Sequence, residues 1–80
     1  MNRTKAAETA WAALHQVAPD LEPDLTEGGA RLRQDLELDS LDFLALVETL
    51  SRDAGVEIPE SDYAQVATVD GLVGYLETHG

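Results

Sequence analysis

Apolar residues recur three and four positions apart along most of this chain, which is the spacing of one face of an α-helix. A first amphipathic helix is predicted from about Thr4 to Ala18, where Pro19 ends it. The residues of this helix that are predicted to face the core are Ala7, Ala10, Trp11, Leu14, Val17 and Ala18. We therefore expect this helix to form one wall of a helical bundle.

A second helix is predicted from about Leu41 to Ala54, with Gly55 as the left-handed residue that terminates it. The residues predicted to form its apolar face are Leu41, Leu44, Val47 and Leu50. Ser40 stands directly before this helix, between Asp39 and Asp42, and the pattern places this serine at the N-cap.

The rest of the chain is predicted to hold a short helical segment, a last helix and one long loop. Residues 61 to 66 can form one or two helical turns, and Thr68 can cap a last helix from Val69 to about Thr78. Residues 19 to 39 contain prolines and glycines and are predicted to be a loop. The residues expected to pin this loop to the core are Leu21, Leu25, Leu32 and Leu36. The pattern thus predicts an all-α fold, a small four-helix bundle with three longer helices, a short third helix and a long loop between helices one and two.

Composition limits what the chain can form. Eighty residues suit a single small domain, spanning residues 1 to 80, and its core must be mostly aliphatic because only four side chains are aromatic. The chain has no cysteine, so any thiol chemistry must come from an attached group. No apolar run reaches the ~20 residues of a spanning helix, and the first residues do not resemble a signal segment. We therefore expect a cytoplasmic protein.

The chain is strongly acidic, with a formal net charge of -11. This charge argues against nucleic acid and anionic membranes as partners, because both would repel the protein. Nine acids lie between residues 35 and 62, against the single base Arg52. Alone, this charge would indicate a solvated surface that keeps a monomer soluble. Beside Ser40, it indicates a docking face for partners with basic surfaces.

Ser40 is the candidate functional residue. A helix N-terminus presents free backbone N–H groups and the positive end of the helix dipole, so an anion esterified to a serine at that point would be stabilised. A phosphodiester fits such a position.

The residues around this serine resemble the acyl carrier proteins, in which the serine of an Asp-Ser-Leu motif carries a 4'-phosphopantetheine arm. An Asp-Ser-Leu triplet alone is a weak signal, whereas an ordered set of motifs from about Ala30 to His79 is a strong one. The motifs are Asp35-Leu36, Asp39-Ser40-Leu41-Asp42, Glu57-Ile58-Pro59, Ala67-Thr68-Val69 and Tyr75-Leu76.

The resemblance implies that a phosphopantetheinyl transferase attaches 4'-phosphopantetheine covalently to Ser40, and that acyl groups are then carried on its thiol as thioesters. It also implies a protein that catalyses nothing itself and delivers its cargo to acyl-loading and acyl-processing enzymes. The residues expected to contact these partners are Asp39, Leu41, Asp42 and Glu48.

The chain departs from the family pattern at Glu37, Ala45, Glu48 and Arg52. Glu37 stands where glycine is usual, and the other three alter the helix that follows the serine. These departures favour a free-standing carrier of a specialised fatty-acid, polyketide or other pathway over a carrier of primary fatty-acid synthesis. The alternative is an amino-acid carrier of the D-alanyl type. Tyr63 and Leu72 stand where chain-sequestering members have alanine, so we expect them to fill the acyl cavity.

Other classes of protein could use the same residues. A hydrolase would need His15 or His79 as the base for a nucleophilic Ser40, yet neither histidine lies in a recognisable motif. A calcium-binding loop is disfavoured, because its sixth and twelfth positions would be Ser40 and Leu46 instead of glycine and glutamate, and no metal site is expected. An acidic helical adaptor without a prosthetic group fits the composition and the periodicity equally well.

Overall fold

The structure, a computed structural model, describes all of residues 1–80 and contains three α-helices and one longer 3-10 helix. The α-helices are α1 (Arg3–Val17), α2 (Ser40–Ala54) and α3 (Val69–His79), and the 3-10 helix Glu60–Val66 is called the short helix below. The connection between α1 and α2 contains only one further 3-10 turn, Pro23–Leu25. The predicted all-α bundle with a short third helix and a long first loop is confirmed. None of its helices combines the length and the apolar character needed to cross a membrane.

The ends of the helices follow the sequence signals to within one residue. The Thr68 side chain accepts a hydrogen bond from the backbone N–H of Gly71 at 3.0 Å and so caps α3 as predicted. Gly55 ends α2 with a φ of 65°, in the left-handed region that a residue without Cβ adopts at little cost.

The predicted apolar face of α2 was wrong at its N-terminal end. Val47 and Leu50 are buried, but Leu41 is 77% exposed and Leu44 is 43% exposed. The α2 residues that are buried are Phe43, Leu46, Val47, Thr49 and Leu50. Positions three apart drift by about 60° around a helix of 3.6 residues per turn, so Leu41 and Leu50 lie on opposite sides of α2.

The buried face of α1 is also rotated from the prediction. Its fully buried residues are Ala6, Ala10, Ala13 and Leu14, whereas Trp11 and Val17 are only half-buried. Alanines allow α1 to approach both α2 and α3 closely, and the larger tryptophan is left at the rim of the core.

The long loop is pinned to the bundle chiefly by Leu32, which is completely buried. The backbone N–H of Leu32 donates to the carbonyl of Ala67 at 2.9 Å, and the N–H of Leu38 donates to the carbonyl of Leu32 at 3.1 Å. Leu21 and Leu36 are half-buried, as a pinning role requires. Leu25 is 80% exposed and does not pin the loop. It ends the 3-10 turn Pro23–Leu25, in which no residue is buried, and three residues are too few for an apolar periodicity to show which side faces the core.

The short helix is held against α3 through Tyr75. The Tyr75 hydroxyl donates to Oδ2 of Asp62 at 2.7 Å, and this hydrogen bond, together with burial of the ring, raises the pKa of Tyr75. Close approach also requires Gly71, because a Cβ at that position would collide with the backbone carbonyl of Gln65. The short helix therefore forms a fixed wall beside the start of α2.

Candidate functional site

The start of α2 is capped by Asp39, and the predicted N-cap role of Ser40 was wrong. Oδ1 of Asp39 accepts a hydrogen bond from the backbone N–H of Asp42 at 2.8 Å, which leaves Ser40 as the first helical residue. Aspartate and serine are about equally good caps, so the sequence pattern did not distinguish them. Because Asp39 performs the capping, the exposed Ser40 hydroxyl is not engaged by a backbone N–H.

The Ser40 hydroxyl is contacted by Arg33, a residue that the sequence analysis did not single out. Nη2 of Arg33 donates a hydrogen bond to Oγ of Ser40 at 2.9 Å, across seven residues of the loop. The signal available in the sequence was the alternation Arg31-Leu32-Arg33, in which a buried leucine forces both arginines outward. That alternation does not say what either arginine contacts, because no spacing rule applies across an irregular loop.

A surface pocket of about 410 Å³ opens beside Ser40. Its polar side is formed by Arg33, Gln34 and Ser40, and its other lining residues are Phe43, Leu44, Tyr63, Ala64 and Ala67. The ring of Tyr63 meets that of Phe43 edge-on, with their centroids 5.4 Å apart, and so forms part of the pocket wall. Leu72 is buried in the core and does not line this pocket. Both residues were expected to fill an acyl cavity. Leu72 instead packs in the core, and Tyr63 forms part of the wall of a pocket that is open to solvent.

The residues expected to contact partners lie at the N-cap, in the first turn and near the middle of α2. Asp39 and Glu48 are exposed, Asp42 is half-buried, and Leu41 is among the most exposed large apolar residues of the protein. An exposed leucine thus follows Ser40 directly, and acidic residues stand before this pair, at the N-cap, and after it, in the first turn of α2.

The base that a hydrolase would need is absent from this site. Nε2 of His15 is 2.9 Å from the carbonyl oxygen of Leu21, and the ring of His79 packs on Tyr75 with their centroids 4.1 Å apart. Neither histidine contacts Ser40. No group of three or more histidine, aspartate and glutamate side chains is arranged to hold a metal ion.

A second arginine holds the loop that leads to the site. Nε and Nη2 of Arg31 bind the two carboxylate oxygens of Asp35 at 3.1 and 3.2 Å, and the backbone N–H of Arg31 adds a bond of 2.8 Å. These hydrogen bonds hold the pKa of Asp35 below its usual range and raise that of Arg31. Arg31 is thus committed to the loop, whereas Arg33 is directed at Ser40.

Comparison with known proteins agrees with this geometry. Residues 9–76 match the family described as phosphopantetheine attachment site. An acyl carrier protein of Zymomonas mobilis is 37% identical over 59 residues, which cover 74% of this chain and 76% of that protein. An acyl carrier protein of Bdellovibrio bacteriovorus is 35% identical over 60 residues, covering 75% of this chain and 77% of that protein. The solution structure of a candidate acyl carrier protein from Anaplasma phagocytophilum superposes with a TM-score of 0.82 at 25% identity, covering 98% of this chain and 91% of that one.

The chain therefore belongs to the phosphopantetheine-binding carriers, and within them to the acyl carrier protein family. It is a carrier and not an enzyme, and its prosthetic group is a covalently attached 4'-phosphopantetheine. Family membership also implies interaction with a phosphopantetheinyl transferase and with acyl-processing enzymes. The alternative of an adaptor without a prosthetic group is wrong.

The residues at the start of α2 fit this prosthetic group. A phosphodiester needs an exposed hydroxyl as its attachment point, hydrogen-bond donors and a compensating positive charge. Ser40 is exposed, the N–H groups of Ser40 and Leu41 have no intrahelical acceptor, and Arg33 supplies a guanidinium. When bound, the group supplies the thiol that the cysteine-free chain lacks.

Proposed function

We propose that Ser40 carries the phosphopantetheine group and that the protein delivers acyl groups to enzymes of a specialised fatty-acid, polyketide or related pathway in the cytoplasm. The main support for this proposal is that Ser40 is exposed, does not cap the helix and lines a mostly apolar surface pocket. The two other serines are less suitable. Ser51 is half-buried late in α2, and Ser61 lies in the short helix.

The exposed side of α2, from its N-cap to Glu48, is proposed as the surface on which partner enzymes dock. Leu41 offers an apolar contact, while Asp39, Asp42 and Glu48 offer carboxylates to a basic partner surface. An exposed leucine rimmed by charged residues is a common arrangement at protein interfaces. Docking here would place a partner enzyme directly over Ser40.

The family departures support a specialised pathway. Glu37, Ala45, Glu48 and Arg52 are all exposed, so they change the surface that a partner meets and leave the core unchanged. Charges at the edge of an interface act mainly on specificity and on the rate of association. Enzymes that recognise the usual family surface are therefore expected to bind this carrier poorly.

The attachment is tested by incubating the protein with coenzyme A, magnesium and a broad-specificity phosphopantetheinyl transferase, followed by mass measurement. The wild type and the control variant Ser61→Ala should each gain one phosphopantetheine mass, whereas Ser40→Ala should gain none. Circular dichroism should show that all three proteins are folded. Folded wild-type protein that gains no mass with several such transferases, or a Ser40→Ala variant that is still modified, would refute the assignment of Ser40.

A further inference from the structure

Resting on the proposed attachment at Ser40, we propose that Arg33 is the positioning residue for the phosphodiester of the arm. Its guanidinium donates to the Ser40 hydroxyl before modification and to the phosphodiester oxygens afterwards. Three features of the structure support this role: the charge around Ser40, the lack of an ion-pair partner for Arg33, and the anchoring of the loop that carries Arg33.

The charge at the start of α2 requires a cation when a phosphodiester is added. Two carboxylates already lie at the start of α2, that of Asp39 at the N-cap and that of Asp42 in the first turn. The helix dipole offers only about half a positive charge at this end, which these carboxylates already offset. A phosphodiester on Ser40 adds a third negative group. The helix end alone therefore does not balance it.

Arg33 is the cation that is available for this role. The other three arginines each pair with carboxylates: Arg3 with Asp70 and Glu77, Arg31 with Asp35, and Arg52 with Asp53. Arg33 forms no ion pair, although the chain has sixteen acidic residues. Its contact is instead the Ser40 hydroxyl, at 2.9 Å. An arginine fork binds phosphate oxygens more strongly than a neutral hydroxyl, because both partners are then charged and the fork can donate two parallel hydrogen bonds.

The loop supports Arg33 in this place. Its neighbour Leu32 is completely buried, and the backbone of Leu32 is bonded on one side to Ala67 and on the other to Leu38. Because Leu38 lies two residues before Ser40, these bonds connect the Arg33 backbone to the start of α2. Because the backbone of Arg33 is already held near Ser40, binding of its side chain there costs less conformational entropy than binding by an arginine on a free loop.

Arg33 therefore restrains the part of the arm that is closest to Ser40. Oγ of Ser40, which Arg33 already contacts, is the atom that becomes the ester oxygen. Arg33 and Ser40 both line the polar side of the surface pocket, so the first bonds of the arm are held at the rim of that pocket. Without Arg33, they would be free to move over the acidic surface of α2.

The test uses the phosphopantetheinylated wild type and three phosphopantetheinylated variants, Arg33→Gln, Arg33→Lys and the matched control Arg52→Gln, which removes the same charge elsewhere. Modification is first verified by mass, so failure of the attachment proposal appears at that step and is separate from failure of the present one. The readouts are the 31P chemical shift and transverse relaxation of the phosphodiester, with urea-unfolded protein as the reference for an unrestrained arm.

Wild type and Arg52→Gln should share a 31P signal that is shifted from the unfolded reference and relaxes faster. The Arg33→Gln signal should move to the shift of the reference and relax more slowly than wild type, and Arg33→Lys should lie between them. Raising sodium chloride to 0.5 M should move the wild-type signal towards that of Arg33→Gln, because salt screens an exposed ion pair. If the folded wild type, Arg33→Gln and Arg52→Gln have the same shift and relaxation at low salt, Arg33 does not hold the phosphodiester and the proposal is overturned.

Discussion

At the scale of a single residue, Glu37 adopts a backbone conformation that is strained for a residue with a Cβ. Its φ is 61°, and it is the one residue other than glycine with a positive φ. Its neighbours hold it in place, since the backbone N–H of Leu36 bonds to Arg31 and that of Leu38 bonds to Leu32. This region destabilises a residue with a Cβ by roughly 1–2 kcal/mol. Glycine avoids this strain, but it also gives the unfolded chain more conformational entropy, which offsets part of the gain in stability.

We therefore expect Glu37→Gly to be more stable than Glu37→Ala by about 0.5–1 kcal/mol. Both substitutions remove the same exposed charge, so the difference between the two variants isolates the backbone term. The measurement is the free energy of unfolding from urea titration, with the m-value unchanged. Equal stability of the two variants would mean that the strain at residue 37 is no larger than the stabilisation lost through the greater entropy of glycine in the unfolded chain.

At the scale of an element, α2 has one side committed to the core and another exposed beside the proposed attachment point. Charge reversal on the exposed side, Glu48→Lys, should slow association with a phosphopantetheinyl transferase several-fold at low salt, because exposed charges steer the encounter. Glu8→Lys makes the same charge change on an exposed position of α1 and should have little effect. Association rates measured by stopped flow at low and high salt test this. A rate that Glu48→Lys and ionic strength leave unchanged would mean that the acidic side of α2 serves only solubility.

At the scale of the whole molecule, the net charge of -11 opposes folding because repulsion is greatest in the compact state. The four ion-pair contacts are largely exposed, so screening them should cost little. We expect the Tm to rise by about 4–8 °C between low salt and 0.5 M sodium chloride, which corresponds to roughly 1 kcal/mol in a domain of this size. Millimolar magnesium should act in the same direction.

A matched variant tests the cause of that rise. The double variant Glu48→Gln, Glu60→Gln removes two exposed acids from the acidic segment of residues 35–62. It should therefore have a higher Tm at low salt, and its Tm should rise less with added salt. Differential scanning calorimetry at several salt concentrations provides the measurement. A Tm that is flat or falls with salt in the wild type would show that charge repulsion is unimportant to its stability.

The sequence by itself determined the helices, and their ends to within one residue, because these depend on local chemistry. Thr68 caps α3 and Gly55 ends α2 through bonds and dihedral angles that involve only residues nearby in the chain. The order of motifs around Ser40 also pointed to the carrier family before any contact was known. Periodicity over one helix and turn chemistry over a few residues suffice for such features.

The tertiary structure alone decided which sides of those helices are buried and what surrounds Ser40. Leu41 and Leu44 match an apolar pattern but lie outside the packed face of α2, because burial depends on where the other elements pack. The choice of Asp39 over Ser40 as the cap depended on the geometry of the loop that enters α2. Arg33 reaches Ser40 from a loop that is held by the burial of Leu32 and by the backbone hydrogen bond of Leu32 to Ala67. Contacts across an irregular loop depend on packing between distant segments, and no local pattern in the chain encodes them.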